Sequence, residues 1–165
     1  MAEDHDNQIT SRPPTLDDLL QICQSLNEHG ARYVLLGGMA IIEYGLARLT
    51  QDIDLLVAVD TANLVSVKAA LRCLPDKAID ELAPDDLAKY VVVRVNDVVT
   101  VDLMAAACGI TYEQAVAQIE WHEVRGVRLP LASPELLLRT KATYREKDAL
   151  DRAFLQRLLA ERQRK

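Results

Sequence analysis

Apolar residues recur at two different spacings along this chain, and the changes between them mark out its elements. Leu16, Leu19, Leu20, Cys23 and Leu26 fall on one face of a helix over 16–30. Thr15 is its N-cap, Asp17 and Asp18 suit the positive end of the helix dipole, and Gly30 is a stop. The run 32–37, RYVLLG, is short, apolar and closed by Gly37-Gly38, which predicts a buried strand followed by a short helix over 39–46. A second strand is predicted over 52–59, DIDLLVAV, and then a helix over 61–74 that Pro75 ends. Residues 76–90 hold no regular period and read as a loop with a short helix starting near Pro84.

Alternation returns in 90–95, YVVVRV, and 98–104, VVTVDLM, and the Asn96-Asp97 pair between them predicts a tight antiparallel hairpin. A helix over 111–119 follows, then a strand or short hairpin over 123–133, with Trp121-His122 lying between elements. Ser133-Pro134-Glu135 supplies the N-cap and first-turn proline of the next helix, and a last helix covers 147–162. Strands mixed with helices predict an α/β (α+β) fold, a small mixed β-sheet with flanking helices. A chain of 165 residues suits one domain. Its expected organisation is a disordered or loosely attached arm over 1–14, a core over 15–130 and a helical C-terminal part over 131–165.

Composition changes this picture little. Hydrophobic residues make up 50% and charged residues 27%, an ordinary globular balance. The net charge of −6 argues against indiscriminate nucleic-acid binding. It is unevenly spread, because residues 139–165 carry nine Lys/Arg against four Asp/Glu. That basic end reads either as a solvated helix face or as an electropositive wall for an anionic substrate. Cys23, Cys73 and Cys108 are scattered and odd in number, which indicates neither a disulfide framework nor a zinc site. Reduced thiols, a polar N-terminus unlike a signal peptide and no apolar run near the ~20 residues of a membrane span predict a soluble cytoplasmic protein.

Two aspartates, Asp52 and Asp54, interrupt the predicted strand at 52–59. Residues i and i+2 of a strand project from one face about 7 Å apart, so both carboxylates aim at one point while Ile53 points into the core. Crowded carboxylates repel unless a cation lies between them, and a hard divalent ion such as Mg²⁺ takes such oxygen ligands. An isolated Asp-x-Asp is more often a solvated strand end. Gly37-Gly38 at a strand-to-helix turn adds backbone N–H groups that a phosphate can approach closely. Asp102, in a strand that can lie beside 52–57, adds a third carboxylate. Together these residues suit attack on the α-phosphate of a nucleotide assisted by two metal ions.

Leu36-Gly37-Gly38, thirteen residues, then Asp52-Ile53-Asp54-Leu55 resembles the pattern of the nucleotidyltransferase superfamily related to DNA polymerase beta. The fuller stretch 37–55 and the later 141–151, KATYREKDALD, resemble the small bacterial abortive-infection type, often found as toxin–antitoxin components. This chain carries Gly-Gly where the more familiar form has Gly-Ser. The resemblance implies that Gly37 and Gly38 hold the triphosphate and that Asp52, Asp54 and Asp102 bind Mg²⁺. Asp102 would also help deprotonate the acceptor hydroxyl. Arg48 and Thr50 would contact phosphate or brace the loop; a surface salt bridge explains Arg48 as well, and a local backbone hydrogen bond explains Thr50 better. Lys141, Arg145 and Lys147 would reach the triphosphate or the acceptor, unless they are merely a solvated helix end. Asp148 and Asp151 read as partners of those bases.

The activity so implied is Mg²⁺-dependent transfer of a nucleoside monophosphate from an NTP to a hydroxyl, on tRNA, a protein or a small molecule such as an aminoglycoside. The alternative is a non-catalytic nucleotide- or protein-binding module, an antitoxin-like partner on the same fold. His5, His29 and His122 have no metal-ligand spacing, and the P-loop motif is absent.

Overall fold

The computed structural model describes residues 11–141 and 146–165, with Lys147 described by its backbone alone. Helix α1 (Leu16–Glu28) starts in a capping box: the Thr15 hydroxyl accepts from Asp18 N–H and the Asp18 carboxylate accepts from Thr15 N–H. Its fully buried Leu19, Ile22, Cys23 and Leu26 are the apolar stripe. Strand β1 (Tyr33–Leu36) is buried at every residue and passes directly into α2 (Gly37–Glu43). Strand β2 (Asp52–Val57) and α3 (Thr61–Leu71, capped by Asp60) follow. A 3₁₀ turn over Ala78–Glu81 and the short α4 (Asp86–Lys89) cross the irregular stretch.

Strands β3 (Val92–Asn96) and β4 (Thr100–Met104) form the predicted antiparallel hairpin, though not with the predicted turn. Asn96 pairs with Thr100, so the loop is 97–99 rather than Asn96-Asp97. The reason lies in Asp97, which is buried rather than at a turn tip. Its carboxylate accepts from the backbone N–H groups of Asp76 (3.1 Å), Ala78 (3.0 Å) and Val98 (2.7 Å), tying the irregular stretch to the sheet. The same loop receives part of the expected arm: the Ser11 hydroxyl donates to Asp97 O (2.7 Å) and Arg12 N–H to Val98 O (3.0 Å). Residues 11–12 are therefore attached, while 1–10 lie outside the described residues.

A small unforeseen hairpin follows, β5 (Ala106–Ala107) and β6 (Ile110–Thr111), then α5 (Tyr112–Ala115) with a 3₁₀ turn after it. Strands β7 (Ile119–Val124) and β8 (Val127–Ala132) form a second large hairpin about Arg125-Gly126. Trp121 and His122 thus lie within a strand, and not between elements. Helices α6 (Pro134–Thr140) and α7 (Glu146–Gln163) complete the chain.

The main sheet is mixed and six-stranded, in the order β3-β4-β2-β1-β8-β7. β4 is parallel to β2, β2 antiparallel to β1, and β1 parallel to β8. Strand β8 pairs with β1 through Leu131, so the sheet extends past the expected core limit of residue 130. Helix α1 packs on α3 and β8, and α6 packs on β8 and α7. Leu35, Ile53, Leu55, Leu103 and Leu131 of the four central strands are fully buried in one core with Leu19, Ile22 and Leu26 of α1.

Candidate active site

The site forms where three chain segments meet at one end of β2. The first is the β1–α2 junction. Leu36 is the N-cap of α2, and no side chain among the described residues caps it. Gly37 has φ +66°, and a Cβ added there would lie 2.0 Å from Asp54 Oδ2. At Gly38 a Cβ would lie 2.7 Å from Thr50 Oγ1. Gly37 therefore lets the backbone press against the aspartate strand, and Gly38 against the loop that leads into it, where a side chain would collide.

The second segment is β2 with its parallel neighbour β4. Their register sets Asp52 opposite Thr100 and Asp54 opposite Asp102. Ile53, Val101 and Leu103 are fully buried, so alternation sends the aspartates to the other face. Asp102 is itself buried, while Asp52 and Asp54 are half-buried. One carboxylate oxygen from each of Asp52, Asp54 and Asp102 lies within 4.8 Å of the others. This close set of hard oxygen donors, without histidine or cysteine, fits a divalent ion of the Mg²⁺ or Mn²⁺ type.

The third segment is β3, a predicted strand whose Arg94 the sequence did not single out. Arg94 of β3 stands opposite Asp102 in the hairpin register. Its Nε donates to Asp102 Oδ1 (2.9 Å) and its Nη2 to Asp102 Oδ2 (3.0 Å), a two-bonded fork. The same Nη2 reaches Asp52 Oδ2 at 3.3 Å. The hydrogen bond to Asp102 raises the pKa of the guanidinium further above its ordinary value.

The remaining candidates divide into two groups. The Thr50 hydroxyl donates to Asp52 O at 3.2 Å, a local bond that braces the entry to β2. Arg48 pairs with Asp151 of α7 (2.5 Å), and Lys141 lies 3.3 Å from both Asp148 and Asp151. Asp148 and Asp151 are buried. The result is a compact ion network that fastens the 46–51 loop to α7. Asp151 Oδ1 has no hydrogen-bond partner among the described residues. Arg145 and the side chain of Lys147 lie outside the described residues.

A cavity of about 680 Å³ opens over the carboxylates, reached by Gly38, Arg48, Arg94, Lys141 and, from α7, Phe154 and Arg157. Its floor is acidic and its rim is basic and apolar.

Residues 15–164 match the family model described as "Nucleotidyl transferase of unknown function" (DUF2204). The chain belongs to this nucleotidyltransferase family. Its fold is similar to the crystal structure of a protein from Thermotoga maritima provisionally described as a nucleotidyltransferase. The TM-score is 0.51 at 15% sequence identity, over 96% of each chain, a likeness of fold alone. No curated protein matches the chain significantly.

In this family member Arg94 is a cleft residue that sequence reasoning missed and that bonds the carboxylates directly, and Phe154 and Arg157 of α7 were missed as well. A signal for it existed, since residues on facing strands pair across a hairpin. A two-residue turn at Asn96-Asp97 sets Arg94 against Val99, however, and only the observed loop sets it against Asp102.

Proposed function

We propose that this protein transfers a nucleoside monophosphate from an NTP to an acceptor hydroxyl, with a divalent metal ion at Asp52, Asp54 and Asp102. The observation that carries the reading is the convergence of three carboxylates beneath a glycine junction that a Cβ at residue 37 or 38 would fill. Mg²⁺ bound there would supply charge compensation for the phosphates and for the carboxylates that hold it.

The chain's own groups have distinct tasks in this reading. The backbone N–H groups at Gly37-Gly38 bind phosphate oxygens. Asp52 and Asp54 hold the metal, and the core packing behind Ile53 and Leu55 fixes their strand. Asp102 completes the metal site and accepts the proton of the acceptor hydroxyl. The hydroxyl oxygen then bonds to the α-phosphorus, the bond from α-phosphorus to the bridging oxygen breaks, and pyrophosphate leaves with that electron pair. Arg48 and Lys141 line the cleft and are paired with α7 carboxylates, so their first task is to hold the loop and helix together. Arg145 and Lys147 are assigned to the triphosphate or the acceptor by sequence resemblance alone.

The resemblance of 37–55 and 141–151 also supports a place in a toxin–antitoxin pair; the basic segment 139–165 suits tRNA as acceptor, whereas the acidic segment 1–138 suits a cationic small molecule. The test offers wild-type protein, Mg²⁺ and each α-³²P-labelled NTP to total tRNA, a protein extract and an aminoglycoside set. Asp52→Asn, checked for folding by circular dichroism, is the control. Label transferred by wild type and lost in the variant supports the reading and names the acceptor class. Transfer undiminished in a folded Asp52→Asn variant would remove the site from the account.

A further inference from the structure

Three carboxylates within 4.8 Å of one another are costly to hold together without a cation. The structure supplies one from its own chain. Arg94 meets both oxygens of the buried Asp102 and one of Asp52, so one guanidinium compensates two of the three aspartates. It does so from an edge strand, since β3 is the end of the sheet, and its side chain is 58% exposed. Arg94 can therefore leave without disturbing the core.

From this we infer that Arg94 is a built-in counter-ion for the metal site, a positioning residue that keeps Asp52 and Asp102 in place before the metal binds. It is also the competitor that a divalent ion must displace. The inference rests on the metal-binding reading of the aspartates and deepens it.

The surroundings indicate where Arg94 goes when it yields. It lines the same cleft as Gly38 and Lys141. The carboxylates among the described residues of that lining are Asp52, Asp54, Asp102 and Asp151. Asp151 already holds Arg48 and Lys141, and the other three are the proposed metal ligands. A displaced guanidinium thus keeps its place in the cleft and takes the phosphates of the nucleotide as its new anion, for which its planar fork is well suited. Exchange of carboxylate for phosphate couples metal binding to nucleotide binding: the ion alone must compete with Arg94, and the ion arriving with a nucleotide gives Arg94 another partner.

The experiment measures Mn²⁺ binding to the full chain by electron paramagnetic resonance, without nucleotide, for wild type, Arg94→Gln, Arg94→Lys and Asp54→Asn. Arg94→Gln should bind Mn²⁺ roughly ten-fold more tightly than wild type. Arg94→Lys keeps the charge and loses the fork, so it should gain a smaller factor, and it carries the test if Arg94→Gln does not fold. Adding a non-hydrolysable NTP analogue should strengthen Mn²⁺ binding more in wild type than in Arg94→Gln; equal gains would overturn the hand-over to phosphate. Equal or weaker Mn²⁺ binding by folded Arg94→Gln, with Asp54→Asn having lost the ion, would overturn the counter-ion and leave the metal site standing. Binding by neither wild type nor Arg94→Gln would overturn the metal site, and the counter-ion with it.

Discussion

Gly37 is required by two separate facts, its left-handed φ of +66° and the 2.0 Å approach of Asp54 Oδ2 to the place of a Cβ. Gly30 shares the φ of +66° but has nothing within 4 Å of an added Cβ. The pair therefore separates backbone strain from collision. Gly30→Ala should destabilise by about 1 kcal/mol through strain alone. Gly37→Ala should destabilise by about 2–3 kcal/mol and displace Asp54, so that metal binding falls together with stability. Urea denaturation of both variants, with Mn²⁺ binding, checks this; equal stability losses would contradict the collision. At this scale the sequence was informative where chemistry breaks a pattern. Asp52, Asp54 and Asp102 stand out because each interrupts an apolar strand, and Gly37-Gly38 because it ends one. Arg94 does not stand out, since an arginine at an alternate position of an edge strand resembles any solvated residue until its partner across the hairpin is known.

Among the elements, helices with strong start signals were legible from local sequence. The capping box at Thr15 and Asp18 and the Ser133-Pro134 start lie where local chemistry dictates. What local chemistry could not give was the 97–99 loop, because Asp97 serves backbone groups about twenty residues away. The expected strand or hairpin over 123–133 started too late for a related reason: the alternation of β7 before residue 123 is weak, and the strand is fixed by pairing along the whole of β8. The α1 cap makes a pH prediction. Asp18 is held at about 2, against an ordinary 3.8, chiefly by its hydrogen bond from Arg12 and despite burial. A lowered carboxyl stabilises the fold above its unfolded pKa and loses that contribution as pH falls through the folded value. Wild type should therefore lose stability between about pH 4 and pH 2. Arg12→Ala should be less stable at pH 7 and should show less of this acid-dependent loss. Thermal melts across that range measure it, and parallel curves would contradict the assignment.

For the whole molecule, a mixed sheet with flanking helices was legible in the alternation of strand and helix periods. The strand order was not. No local signal says that β4 lies parallel beside β2, yet that neighbour relation is what brings Asp102 to Asp54. Nor does local sequence show that β8 enters the sheet beside β1, or that α7 is fastened through Asp151 to the loop before β2. These long-range relations give the cleft its carboxylate floor and its basic rim. The central claim is that this cleft moves a nucleoside monophosphate. The most direct measurement compares parallel reactions with α-³²P- and γ-³²P-labelled NTP, Mg²⁺ and the acceptor panel, for wild type and Asp54→Asn. The account predicts that wild type moves the α label to an acceptor, releases the γ label as pyrophosphate, and that Asp54→Asn does neither. Transfer of the γ label to the acceptor, or α-label transfer that survives in Asp54→Asn, would contradict it.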